Sequence, residues 1–238
     1  MSNKIVSGEY SRTHVYSNQI NNEPKYLFKV IGKKVASSLG KEDVLLDLGG
    51  ASGVFCNYIN SQYKINTICL DADNDLVELG RKRFSDVEFV TGRADDLSRY
   101  NDNTFNFVTS IGLIGIFDEI NKLLFESVRV LKSGGKLFVC DHLNNDDIDV
   151  ILRYKYSDQK KWNIGHNIHS KKTIKRIPRN KYPDIVIEFE SFTLPFDLKK
   201  TDDPLRTWTN KKNNGERELR NGMGMVVDLQ IMTVTKSN

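Results

Sequence analysis

From residue 44 to residue 140 the chain alternates short apolar runs with segments whose apolar residues recur at helical spacing. That rhythm restricts the fold more than any other feature. Val44-Leu45-Leu46 is an apolar run closed by a glycine turn and reads as a buried strand. A helix starts at Val54-Phe55-Cys56, and Ile65–Leu70 reads as a second strand. Leu76–Phe84 is a second helix, Val87–Val90 a third strand and Phe105–Thr109 a fourth. Between Ile120 and Leu131 the apolar residues share one helix face, Ser133-Gly134-Gly135 stops that helix, and Lys136–Cys140 is a fifth strand. Alternation at this pitch predicts parallel βαβ units with helices on both faces of the sheet.

Outside this block the pattern loosens. A stripe through Leu27, Val30, Ile31 and Val35 predicts a helix from Glu23 to about Gly40. Residues 185–189 and 226–234 read as two further strands, the second alternating as an antiparallel partner would. The expected architecture is α/β and doubly wound: a mostly parallel, seven-stranded sheet with an antiparallel strand and inserted cap segments. It is expected as a single domain, 1–238. Residues 1–40 form a helical lid, 41–145 the binding core, and 146–238 the substrate-facing insertions and last two strands.

The core's central motif is Asp47-Leu48-Gly49-Gly50-Ala51-Ser52-Gly53, between the first strand and its helix. Glycines let a backbone turn tightly against a ligand, and a helix N-terminus offers unpaired N–H groups. The spacing is Asp-x-Gly-x-x-x-Gly. It is neither the Gly-x-Gly-x-x-Gly of dinucleotide enzymes nor a phosphate loop, because no Lys-Ser/Thr follows. Asp71 ends the second strand 22 residues after Gly49. A carboxylate there can accept both hydroxyls of a ribose laid across the strand tips. Together these features predict a nucleoside site.

In this order the motifs resemble the class I S-adenosylmethionine-dependent methyltransferases, over about residues 40 to 145. The resemblance implies a Rossmann-like methyltransferase fold with S-adenosylmethionine as cofactor. It places Asp47, Gly49, Gly50, Ala51, Ser52 and Gly53 around the methionine part, and Asp71 and Ala72 at the ribose. Thr91-Gly92-Arg93-Ala94-Asp95-Asp96-Leu97 is similar to the segment that frames the adenine. The family often has Asp where this chain has Arg93, so a carboxylate contact to the adenine amine comes from Asp95 or is absent. Ser110, after the fourth strand, falls where the family approaches the sulfonium methyl, and Leu131–Leu137 resembles its helix-to-strand-five signature.

Methyl transfer is an in-line displacement, so the protein supplies positioning and, for a hydroxyl acceptor, a base. His142 directly follows the fifth strand, and His166 precedes a Ser-capped helix beginning at Ser170; both are candidate bases. A catalytic metal is not expected, since Ser110 stands where metal-dependent relatives place a carboxylate and the histidines lack a third ligand. Net charge is +4, yet ten basic residues against one acid lie between Arg153 and Lys181, so the remainder is net acidic. That block is either a solvated basic loop or a site for an anion, whether a phosphate, a nucleotide or a nucleic-acid backbone; in an enzyme it suits an anionic small-molecule acceptor. The stretches Leu194–Leu198, Arg206–Thr209 and Gly215–Arg217 look like those of bacterial sugar and surface-polysaccharide methyltransferases. O-methylation of a nucleotide-linked or phosphorylated sugar is the expectation. RNA methylation, with the block tracking a phosphate backbone, and a catalytically silent cofactor-binding partner are the alternatives. The chain shows no run of roughly 18 to 20 apolar residues and no secretory signal, and its cysteines, Cys56, Cys69 and Cys140, form no disulfide framework. A cytoplasmic protein is expected, with its oligomeric state open.

Overall fold

The computed structural model describes residues 24–40 and 42–237. Of the expected lid, residues 1–23 lie outside the described residues; the described part is helix α1, Tyr26–Ala36. The core follows as β1 (Val44–Leu48), α2 (Val54–Tyr63), β2 (Asn66–Asp71), α3 (Asn74–Arg83), β3 (Glu88–Thr91) and β4 (Phe105–Ile111). Helix α4 (Asn121–Arg129) leads into the long β5 (Leu131–Asn144). Seven strands form the main sheet in the order β3-β2-β1-β4-β5-β13-β9, with β9 at Val186–Ser191 and β13 at Leu229–Thr235. Pairing is parallel from β3 through β5, while β13 runs antiparallel to both β5 and β9. This is the doubly wound sheet that the apolar rhythm predicts.

Period-two alternation along β1 divides the core between the two faces. Leu46 and Leu48 face a cluster with Leu123, Leu124 and Val128 of α4 and with Ile174 and Ile177 of α5 (Lys171–Lys181). Leu45 faces the opposite cluster, with Phe28, Ile31 and Val35 of α1 and Phe55 and Ile59 of α2. All three cysteines are buried and unpaired in disulfides.

Three expectations are corrected. Helix α4 ends at Arg129, two residues earlier than its apolar stripe suggests, and Gly134-Gly135 lie inside β5 rather than before it. Here β4–β5 pairing accommodates an irregularity between Phe105 and Phe107, so the glycines bend a strand instead of preceding one. The run 226–234 is two strands: β12 (Val226–Val227) joins a small sheet, and β13 starts after Asp228. That small antiparallel sheet, β10 (Trp208–Lys211), β11 (Arg217–Arg220) and β12, has no counterpart in the sequence reading. Neither has the ribbon of β6 (Arg153–Tyr154) and β7 (Asn163–Ile164). Strand β8 (His169–Ser170) adds a short parallel pair to the end of β5, and Ser170 caps α5 by accepting from the Thr173 N–H, as the sequence suggests. No helix of the described residues is long and apolar enough to cross a membrane.

Candidate active site

The glycine loop leaves the carboxyl end of β1 and turns at once. Gly49, Ala51 and Gly53 all have positive φ, at 68°, 51° and 76°. Gly53 tolerates nothing larger, since a Cβ there would run into the Phe89 ring. Ala51 has no glycine's freedom in the left-handed region, so its surroundings must hold it there. They do: its N–H donates to Asp71 Oδ2 at 2.8 Å, tying the loop to the tip of β2. The Gly49 and Gly50 N–H groups donate to Leu70 O at 2.8 and 3.2 Å.

Asp71 therefore holds the loop as well as facing outward from the strand tip. Its Oδ1 accepts the Asp73 N–H at 2.9 Å. Burial raises its carboxyl pKa, and the amides of Asp73, Ala51 and Ala72 work against that rise. A carboxylate offers about four acceptor positions, so the two bonded here leave room for ribose hydroxyls. Ala72, next along, is exposed, and Ser52 is buried in the loop.

Two of the expected cofactor residues sit differently. The Asp47 side chain is turned under the loop, 3% exposed, accepting from Thr109 Oγ1 at 2.6 Å with Cys56 Sγ at 3.9 Å. Burial pushes its pKa up to about 7, against the bond from Thr109. It props the loop from beneath and does not reach its open surface. Asp95 is clasped by Arg93 through two bonds, 2.9 and 2.8 Å, so both its oxygens are already engaged. Of the two alternatives for the adenine amine, a contact from Asp95 or none, the Asp95 carboxylate is committed to its neighbour, and Ala94 packs into the core. Ser110 lies on β4 between Leu48 of β1 and Val139 of β5. Its hydroxyl is buried without a hydrogen-bond partner, an orphaned donor at the place where the family approaches the methyl group. The loop, the outward capacity of Asp71 and this hydroxyl fit a nucleoside cofactor.

Beyond Ser110 the ends of β4 and β5 open into a cavity of about 870 Å³. Gly112, Asp141, His142 and His166 line one part of it. Asp141 is the centre of this group and went unnoticed in the sequence. It is 1% exposed and accepts hydrogen bonds from the His166 ring at Nε2, from the His142 N–H at 2.8 Å and from the Gly115 N–H at 3.3 Å. Burial alone would raise its pKa; the His166 charge and bond and the two amides outweigh that and hold it below the usual carboxylate range. The signal was present, a carboxylate adjoining His142 at a parallel strand's carboxyl end, but nothing local points from residue 141 to residue 166.

His166 owes its place to its neighbours. Asn167 is fully buried, donating to Phe117 O at 3.0 Å and Asp118 Oδ1 at 2.9 Å while accepting the Leu152 N–H at 2.8 Å. The Asn167 N–H also donates to Gly115 O at 2.6 Å, which lays the His166 ring over Gly115. His142 differs. Its Nδ1 is buried with no partner, and burial, together with the His166 charge, lowers its pKa against the pull of Asp141. Of the two candidate bases, His166 has the carboxylate partner that a base needs and His142 does not.

The basic block does not form one surface at this cavity. None of its ten residues lines it. Arg153 pairs with Asp118 at 2.6 Å and Lys172 with Asp147 at 2.5 Å. Helix α5, which carries six of the ten, packs on the sheet face opposite α1. The cavity's own cations are Lys25, Lys199 and Arg206.

A family model described as a methyltransferase domain matches residues 46–139. The ubiquinone/menaquinone biosynthesis C-methyltransferase UbiE of Francisella tularensis is 33% identical over 116 residues, which are 44% of this chain and 45% of that protein. A demethylmenaquinone methyltransferase of Clavibacter sepedonicus is 31% identical over 140 residues, 57% of this chain and 54% of the relative. The chain thus spans about half the length of the curated relatives it matches. The crystal structure of YcgJ from Bacillus subtilis shares the fold with a TM-score of 0.59 at 17% identity, covering 89% of this chain and 98% of that one. By its sheet order and glycine loop the chain has the Rossmann-like methyltransferase fold, and its residues 46–139 match a methyltransferase domain.

Proposed function

We propose that this chain methylates a hydroxyl-bearing small molecule held in the 870 Å³ cavity, with His166 as proton acceptor and Asp141 as the group that orients it. When bound, S-adenosylmethionine supplies the methyl group on a sulfonium. The observation that carries the proposal is the His166–Asp141 pair, seated in the cavity wall beside Gly112 at the end of β4. Asp141 orients the His166 ring, and its negative charge stabilises the imidazolium that forms when the ring takes the acceptor's proton. Gly49, Gly50, Asp71 and Ser110 would hold the cofactor, with Asp47 and Asp95 acting from behind.

The lining bears on the acceptor. Around the pair stand Tyr26, Phe28, Phe192, Leu194, Phe196 and Met223, which offer an apolar body somewhere to lie. These apolar walls favour a molecule with an apolar portion over the nucleotide-linked or phosphorylated sugar expected from the sequence. A second reading, carbon methylation, is favoured by the relatives, one of which is named a C-methyltransferase. The same pair serves it, because removing a ring hydroxyl's proton makes the adjacent ring carbon nucleophilic. RNA methylation loses its main support with the dispersal of the basic block.

Incubation with methyl-labelled S-adenosylmethionine and fractionated small molecules tests the proposal. A labelled product is expected, and the carbon chemical shift of its new methyl separates oxygen from carbon methylation. Tight cofactor binding with no product from any fraction would instead support the silent partner, and product confined to RNA would restore that alternative.

A further inference from the structure

We infer that His142 selects the acceptor, its Nε2 donating a hydrogen bond to a second oxygen of the molecule whose hydroxyl His166 deprotonates. The inference deepens the reading above and rests on it for the identity of the ligand as acceptor. His142 is 8% exposed and lines the cavity with Asp141 and His166. Neither of its ring nitrogens has a hydrogen-bond partner among the described residues. Nδ1 is sealed within the protein, so Nε2 is the nitrogen that the ring presents to the cavity. The backbone holds the ring there from both sides. His142 pairs with Leu229 of β13, and the next residue, Leu143, pairs with His169 of β8. The His142 N–H donates to Asp141 Oδ1 at 2.8 Å, and the His166 ring bonds the same oxygen, so the two histidines flank one carboxylate.

Burial decides where the ring's proton sits. For backbone groups an orphaned buried N–H is rarer than an under-used lone pair; applied to the ring, this leaves Nδ1 bare and the proton on Nε2. A second proton would put an unanswered donor at Nδ1, and burial, with the His166 charge, lowers the ring's pKa against the pull of Asp141 and Asp228. The ring is thus a neutral donor facing the cavity, where a ligand oxygen satisfies it. His166 takes a proton and His142 gives a hydrogen bond, so one small molecule that answers both carries two neighbouring oxygens. Part of the remaining wall is aromatic: Tyr26 lies 6.1 Å from Phe192 and 5.9 Å from Phe196, ring centre to ring centre. The class that fits is a partly apolar, ring-bearing molecule with a hydroxyl and a second oxygen close to it. A pocket built to hydrogen-bond a substrate oxygen discriminates against the analogue lacking it, because its own donor is then left unpaired.

Two naphthols that differ by one oxygen test this, titrated by their own fluorescence. 2,3-Dihydroxynaphthalene carries the second oxygen and 2-naphthol lacks it. The wild-type protein should bind the diol roughly three- to tenfold more tightly, the contribution of one neutral hydrogen bond. His142→Phe keeps a ring but has no donor, and should bind both naphthols alike. His142→Gln, whose amide nitrogen reaches about as far as Nε2, should keep the preference. His142→Asn, whose amide reaches only as far as Nδ1, should lose it. The two amides are alike in polarity, so their contrast reads reach and not folding, and it decides the matter if the phenylalanine variant does not fold. Equal affinities in the wild type, no binding of either naphthol, a preference that survives in His142→Phe or His142→Asn, or one that is lost in His142→Gln overturns the inference. Transfer of labelled methyl from S-adenosylmethionine to fractionated small molecules runs alongside on the wild type. Labelled product without a His142-dependent preference removes the role of His142 alone, whereas that preference without product removes the methyl-transfer reading and leaves His142 as a ligand contact.

Discussion

Replacing Gly115 by alanine strikes the His166–Asp141 pair without touching either member. A Cβ at residue 115 would stand 2.5 Å from His166 Nε2, 2.6 Å from Cδ2 and 2.7 Å from Cε1. Ordinary contacts begin near 3.5 Å, so the ring must move by about 1 Å. The ring nitrogen facing the new methyl is the one bonded to Asp141, so that bond is what the movement breaks. A hydrogen bond to a charged group contributes about 1.5–3 kcal/mol, which corresponds to roughly 10- to 150-fold. Misplacing a catalytic group by about 1 Å costs on the order of 10²-fold, the same range by a separate route. Turnover of labelled methyl should fall by that amount, while calorimetry should find cofactor affinity within about threefold of wild type. The decisive comparison is a double-mutant cycle. In a His166→Ala background no ring remains to be displaced, so adding Gly115→Ala should lower turnover no further. Equal losses in both backgrounds, or full activity in the single variant, would refute the reasoning.

Asp71→Ala should weaken S-adenosylmethionine binding by about 1–3 kcal/mol, through lost ribose contacts and a freed Ala51 N–H; unchanged calorimetric affinity removes Asp71 from that role. Asp47→Asn tests a pH effect whose sign is fixed by a folded pKa of about 7, above the carboxylate's ordinary value. A raised carboxyl stabilises the fold most below its ordinary pKa and loses that contribution as pH climbs through about 7, a loss of up to about 4 kcal/mol. The asparagine variant should flatten the fall in melting temperature between pH 4 and 7, and an unaltered slope would sink the assignment. Asp141, held low, acts with the opposite sign: its contribution is present above the ordinary carboxylate pKa and is lost as pH falls through its lower folded value, outside that window. Charge reversal on α5, Lys175→Glu with Arg179→Glu, should leave turnover within about twofold, because the helix lies on the face away from α1; a large rise in KM would return the basic block to the site.

Which parts of this molecule the sequence discloses depends on how locally each is built. The strand tips that carry the glycine loop, Asp71 and Ser110 are written in consecutive residues, because each strand's apolar run ends where its functional residue begins. Even there, orientation is hidden. Asp71 ends β2 while Asp47 stands one residue inside β1, and that offset leaves Asp47 beneath the loop on Thr109 and Cys56 while Asp71 holds Ala51. Arg93 and Asp95 stand two residues apart, and only their bidentate bond shows that each occupies the other.

The acceptor half is assembled from distant segments, which hides its arrangement from the sequence. Asp141 meets His166 across 25 residues, Asn167 reaches Phe117 across 50, and Lys25 and Arg206 share a cavity from opposite ends of the described chain. Each feature alone has an ordinary explanation: a strand-end carboxylate, a loop histidine, a lysine before a helix. The dense basic block stands out in the sequence because charge density is visible in one dimension, whereas convergence on a cavity is not. Its lysines instead pair with nearby acids or lie over rings such as Phe189, so local density is satisfied locally.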